Sequence, residues 1–129
     1  MATIERFEYI EAWKRAREIT RKIYDLTSSG DFSRDFGLRD QIRRASVSIM
    51  SNIAEGFERE GTREFINFLS IAKGSCAESQ SQLYVALDGG FITQSDFSWI
   101  YENLRETGKM IGGFMNYLRD CDIKGRKFK

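Results

Sequence analysis

Residues 35–58 read DFGLRDQIRRASVSIMSNIAEGFE, and this stretch decides the fold. Leu38, Ile42, Ala45, Ile49 and Ile53 recur at steps of three and four, which gathers them on one face of an α-helix. On and beside that seam stand Ala45, Ser46, Ser48, Ser51, Asn52 and Ala54, all small or short. Small residues let a neighbouring helix approach closely, so the spacing predicts the most crowded helix of a bundle.

Working outward, three more segments carry the same period. A first helix is expected over about 7–28, with Ala12, Ala16, Ile19, Ile23 and Leu26 as its seam and Ser28-Ser29-Gly30-Asp31 as its stop. A third is expected over about 62–87, with Thr62 as N-cap and Phe65, Leu69, Ala72, Cys76, Leu83 and Leu87 inward. Gly74-Ser75 in its middle mirrors the small stretch of the second helix and points to a close crossing. Asp88-Gly89-Gly90 ends it. Thr93 and Asp96 then resemble a capping box for a fourth helix over about 94–121, carrying Phe97, Tyr101, Leu104, Ile111, Met115 and Leu118. Gly108, Gly112 and Gly113 lower that helix's propensity, so packing must hold it. Breaks this short force neighbours to run antiparallel. The expected fold is an all-α, antiparallel up-and-down four-helix bundle, one domain over 1–129, with 122–129 as a basic tail rich in Lys124, Arg126, Lys127 and Lys129.

Composition excludes more than it proposes. The chain has 129 residues, with 20 Lys+Arg against 19 Asp+Glu, so it is not a uniformly basic coat protein. No histidine is present, which removes Ser-His and Cys-His nucleophile pairs, HExxH zinc sites and the Glu-x-x-His motif of di-iron bundles. No proline interrupts the helices. Cys76 and Cys121 are too few and too far apart for a zinc site and fit a reducing cytoplasm, as small buried hydrophobes. Apolar runs are too short for a membrane span, and the N-terminus lacks a secretory pattern. No phosphate-cradling glycine motif is found, since Gly89-Gly90 has neither GxGxxG spacing nor a P-loop lysine. The chain is therefore expected to be no enzyme, with no metal and no cofactor.

What remains are cations, aromatics and two polar residues. Glu11–Arg15, Glu18–Lys22 and Arg21–Asp25 are spaced to pair along the first helix, yet Lys14, Arg17 and Arg21 still form a stripe. Arg39, Arg43 and Arg44 cluster on the second helix around Asp40. Such stripes are either solvated faces or contacts for nucleic-acid phosphates. Asn52 and Glu55 are expected to fasten the end of the second helix to a neighbour through hydrogen bonds. Glu102 and Glu106 read as solvated or intrahelically paired. Tyr9, Ile10, Trp13, Tyr24, Val47, Met50, Phe57, Phe91, Trp99, Ile100 and Phe114 exceed what one bundle's seams need, which predicts a homo-oligomer.

The second helix also carries a resemblance. Phe36-Gly37-Leu38, Gln41-Ile42-Arg43-Arg44-Ala45, Ser48-Ile49 and Asn52-Ile53-Ala54-Glu55-Gly56 resemble the hallmark of the bacterial four-helix bundle proteins named after 23S ribosomal RNA intervening sequences. Phe65, Phe68-Leu69, Ile71-Ala72, Gly74-Ser75, Glu78 and Gly90-Phe91-Ile92 extend the likeness, which covers about Phe7 to Leu118. Met50 stands where the family commonly has proline, and Asp35 where it has glutamate. The resemblance implies a toroidal homopentamer without known catalytic activity. Proteins similar in fold serve diversity-generating retroelements, binding nucleic acid and a reverse transcriptase through a basic surface. Two expectations follow: a pentameric scaffold binding RNA or DNA through Lys14, Arg17, Arg21, Arg39, Arg43 and Arg44, or a protein-binding adaptor with no nucleic-acid role.

Overall fold

Leu38, Ile42, Ala45, Ile49 and Ile53 are all buried, as their spacing requires, and they line one side of a four-helix core. The computed structural model describes residues 4–123 and contains α1 (Glu11–Thr27), α2 (Phe36–Phe57), α3 (Thr62–Asp88) and α4 (Gln94–Ile123). Each helix packs on the next in sequence and α1 closes the ring against α4, which gives an antiparallel up-and-down bundle. Among the described residues there is no strand. The basic tail expected at Lys124, Arg126, Lys127 and Lys129 lies outside the described residues.

The α2–α3 contact is among the closest, and polar chemistry fixes its register. Ser48 and Ser75 hydroxyls share a hydrogen bond of 2.9 Å across the helices, and Asn52 Nδ2 donates to Ser48 Oγ at 2.9 Å and to the Ser48 carbonyl at 2.8 Å. At the far end, Gly56 lets α2 meet the first turns of α3. A Cβ there would stand 2.7 Å from Phe68 Cβ and 2.8 Å from Phe65 Cδ1.

The opposite end is closed by aromatic stacking between loops. Phe32, in a 3₁₀ turn at Asp31–Arg34, is buried against Phe91 of the α3–α4 connection, with ring centroids 5.3 Å apart. Gly30 and Gly90 supply the positive φ, 68° and 75°, that these two connections use. Asp35 caps α2 by accepting from Leu38 N at 3.0 Å, and Thr93 caps α4 by accepting from Asp96 N at 3.0 Å.

Several local expectations are corrected. The first helix does not begin at residue 7: a 3₁₀ turn at Phe7–Tyr9 gives way to extended Ile10, and α1 starts at Glu11. Extended backbone at Ile10 seats its side chain in the core and lets Phe7 pack edge-on to Trp13 at 5.2 Å. Thr62 is not the cap of α3 but its first residue; Gly61 occupies the cap position in extended conformation without a side-chain bond. Ile10, Phe57 and Ile100, read as surplus apolar residues, are core. Tyr9, Tyr24, Val47 and Trp99 are exposed, joined by Phe36, Ile71, Tyr84 and Val85. The i,i+4 pairs expected along α1 give way to bridges between helices. Arg15 reaches Glu106 at 2.9 Å and Asn103 at 3.1 Å, and Lys22 reaches Asp96 at 3.2 Å, so both fasten α1 to α4.

Candidate functional site

Two of the clustered arginines on α2 are held by their own bundle. Arg39 Nε donates to Asp40 at 2.9 Å, its Nη1 donates to the Ser33 carbonyl at 3.1 Å, and its guanidinium lies 4.8 Å from the Phe36 ring centroid. It therefore fixes the loop entering α2. The Arg39 hydrogen bond holds the Asp40 carboxyl below its usual range, and the charges of Arg44 and Arg43 add to the effect.

Arg43 crosses to α1. Its Nε donates to Thr27 Oγ1 at 2.7 Å, its Nη2 to Ser28 Oγ at 3.3 Å, and its guanidinium stacks 4.5 Å from the Tyr24 centroid. Arg44, one position on, is exposed and forms no ion pair among the described residues. Tyr24, Asp40, Arg43, Arg44, Val47 and Ser48 line a groove of about 550 Å³ between α1 and α2.

The α1 stripe continues this face. Arg21 precedes Tyr24 by one turn and is exposed, with no ion pair among the described residues. Arg17 lies 5.9 Å from the Trp13 centroid, and Lys14 is paired with Glu11 at 3.3 Å. Lys14, Arg17 and Arg21 share a shallow groove with Trp13, but Glu8 and Glu18 line it too. Tyr24, Arg43 and Arg44 thus meet in one groove with Asp40, Arg21 stands one turn before Tyr24 on α1 in the neighbouring groove, Arg39 is held by the loop entering α2, and Lys14 is partly neutralised.

The two polar residues part company. Asn52 belongs to the Ser48–Ser75 ladder that ties α2 to α3. Glu55 does not join it: its carboxylate is exposed and pairs with Arg59 at 2.9 Å on the next turn, since the helix face at 55 turns to solvent. Among the described residues, no three Cys, Asp or Glu side chains converge as metal ligands. No helix of the described residues is long and apolar enough to cross a membrane.

Sequence reasoning missed an open groove of about 720 Å³ between α3 and α4. Its sequence signal is Gly108, Gly112 and Gly113, which bare the surface of α4 as well as lower its propensity. A second missed feature is the packing of Tyr84, Phe97 and Tyr101 where α3 ends and α4 begins, with Tyr84 4.9 Å from Phe97 and 5.7 Å from Tyr101. A hydrogen bond with Tyr101 raises the Tyr84 phenol above its ordinary pKa.

A crystal structure of a protein of unknown function from the S23 ribosomal protein family of Bacteroides thetaiotaomicron VPI-5482 superposes with a TM-score of 0.75. It is 23% identical, over 81% of this chain and 95% of that one, a likeness of fold. No curated protein matches the chain. The family model described as 23S rRNA-intervening sequence protein matches residues 8–113, from the 3₁₀ turn through most of α4, and the chain belongs to that family.

Proposed function

We propose that this protein is a non-enzymatic oligomeric scaffold, a pentamer, that binds RNA or DNA through the face shared by α1 and α2. The observation that carries the reading is the exposed Tyr24 ring, with Arg43 stacked on it, Arg44 lining the same groove and Arg21 one turn away on α1, the last two without an ion pair among the described residues. Cations around an exposed aromatic offer phosphate contacts and a stacking platform together. Each protomer supplies few such groups, and assembly multiplies them into a field that the near-neutral chain lacks by itself. Exposed Tyr9, Val85 and Trp99 support the assembly, because burial between protomers would remove them from water. Relative to the sequence reading, Arg39 leaves the binding set and Tyr24 enters it.

Fluorescence anisotropy of a labelled single-stranded RNA, titrated against the protein at several salt concentrations, tests this. The expected slope of log K against log salt is about −0.7 per phosphate contacted. Arg21→Glu/Arg44→Glu should abolish measurable binding while light scattering still gives the mass of five chains. Salt-independent binding, or binding that survives the double variant, would overturn the reading. The second reading, a protein-binding adaptor, rests on a different surface, the groove between α3 and α4.

A further inference from the structure

The α3–α4 groove lies on the side of the bundle opposite the α1–α2 face, and its charges are one-signed. Lys73, Arg105, Lys109 and Arg119 edge it, and among the described residues no carboxylate lines it. Lys73 and Lys109 form no ion pair among the described residues. Arg119 donates to the neutral Asn116 amide oxygen at 3.0 Å, and of these four cations only Arg105 has a carboxylate partner among the described residues, Glu102 at 2.9 Å. In a chain with nearly equal numbers of acids and bases, a groove without an acid is a local departure from the average.

The glycines beneath those cations are not explained by packing inside the chain. A Cβ on Gly74 or Gly113 would meet nothing within 4 Å. On Gly108 it would make an ordinary 3.9 Å contact with Cys76 Cβ, and on Gly112 it would meet the end of the Lys73 side chain, Nζ at 3.5 Å and Cε at 3.8 Å. Each glycine costs a helix interior roughly 1 kcal/mol relative to alanine. Helix α4 therefore carries three such costs that no neighbour in its own bundle requires. Gly56, where a Cβ would collide with α3, shows what an internally required glycine looks like.

The groove's floor selects among polyanions. Leu104 and Met115 lie at its base, and among the described residues no aromatic ring lines it, so unstacked bases find no platform on them. Bare helix backbone beside an apolar floor admits another helix at close range, and four cations along the edges favour acidic flanks on it. From Arg105 to Arg119 the groove follows α4 for about 21 Å, or four helical turns. We infer that the α3–α4 groove docks an amphipathic helix of a partner protein, its apolar seam lying over the glycines and its Asp or Glu flanks meeting Lys73, Lys109, Arg105 and Arg119.

The test uses the full chain and two fluorescent, hydrocarbon-stapled helices of about five turns. One carries a Leu/Ala seam flanked by glutamates; the other replaces every glutamate with lysine. Anisotropy should show binding of the glutamate helix alone. Lys73→Glu/Lys109→Glu, and separately Gly113→Leu, which fills the groove, should each weaken it by about tenfold or more, or about 1.4 kcal/mol. Lys73→Gln/Lys109→Gln keeps the test valid if charge reversal disturbs folding, and circular dichroism checks that every variant melts as a bundle. The inference is overturned if the glutamate helix fails to bind, if the lysine helix binds equally, or if groove variants bind normally. A smaller mass by light scattering for Gly113→Leu would overturn it by assigning the groove to a second copy of this chain. RNA binding lost in Lys73→Glu/Lys109→Glu, with no helix bound, would overturn it in favour of nucleic acid. Arg21→Glu/Arg44→Glu lies on the other side of the bundle, so failure of the RNA reading leaves this one standing.

Discussion

Arg43 Nε donates to Thr27 Oγ1 at 2.7 Å, and that same buried hydroxyl donates to the Ile23 carbonyl oxygen at 2.7 Å. One side chain thereby satisfies a buried polar atom and pins the last turn of α1 to α2. Truncating it leaves the hydroxyl with an unfilled acceptor site in a dry position.

Arg43→Ala is therefore expected to lower unfolding stability by about 1–2 kcal/mol, whereas Arg44→Ala, on the exposed neighbour, should change it by less than about 0.5 kcal/mol. Urea denaturation of both variants checks the contrast. Equal losses would mean that Arg43 is not an anchor and that both arginines belong to the surface.

This contrast marks the boundary of what the sequence made legible. Seam positions such as Ile19, Ile49, Leu69 and Leu118 were placed by their period, because burial follows directly from which face of a helix a residue occupies. Arg43 and Arg44 look equivalent as letters, adjacent and identical. What separates them is a 100° rotation about α2, which brings one against Thr27 on a different helix. Cross-helix acceptors of that kind are fixed by interhelical distance and rotamer, and neither has a one-dimensional signature. The same limit hid Glu55, which pairs with Arg59 instead of a neighbouring helix, and Arg15, which reaches α4 instead of Glu11. Thr27 itself escaped because the α1 seam drifts: Thr27 is buried in its last turn while Leu26 is only half-buried.

Gly56 and Gly113 should respond oppositely to the same substitution. Gly56→Ala puts a methyl 2.7 Å from Phe68 Cβ, too close for either helix to accept without shifting, and should cost about 1–3 kcal/mol despite alanine's better propensity. Gly113→Ala meets nothing and should stabilise by about 0.5–1 kcal/mol. Thermal unfolding of the two variants reads the signs directly. A stabilised Gly56→Ala would show that the α2–α3 corner is looser than its geometry implies.

Cys76 gives the bundle an alkaline limit. Burial pushes its thiol pKa up to about 12 from an ordinary 9.0. In the folded chain the thiol keeps its proton through a range in which the unfolded chain has lost it. The contribution is thus fully present below about pH 9 and is lost as pH rises toward 12, at up to about 1.4 kcal/mol per pH unit. Comparing urea stability of the native chain and Cys76→Ala across this window isolates the thiol from the tyrosines and lysines that also titrate. The difference between them should shrink steadily with pH. A constant difference would mean that the thiol reaches water in the folded state, in which case iodoacetamide at pH 8 would label it without denaturant.

The polar stripe on α3 offers the one substitution expected to improve the core. Ser75 is satisfied by Ser48, but Ser79 Oγ, one turn along and fully buried, has no hydrogen-bond partner among the described residues. A hydroxyl taken from water without compensation costs about 1–3 kcal/mol, and alanine removes it while keeping the Cβ. Serine also has a lower helix propensity than alanine, which acts in the same direction. Ser79→Ala should therefore raise the melting temperature by about 4 °C, the shift that about 1 kcal/mol produces in a chain of this size. Ser75→Ala should lower it, because the Ser48 hydroxyl then loses its partner across the helices. If Ser79→Ala also melts lower, the hydroxyl is bonded in solution and the stripe from Ser48 to Ser79 works as one connected network.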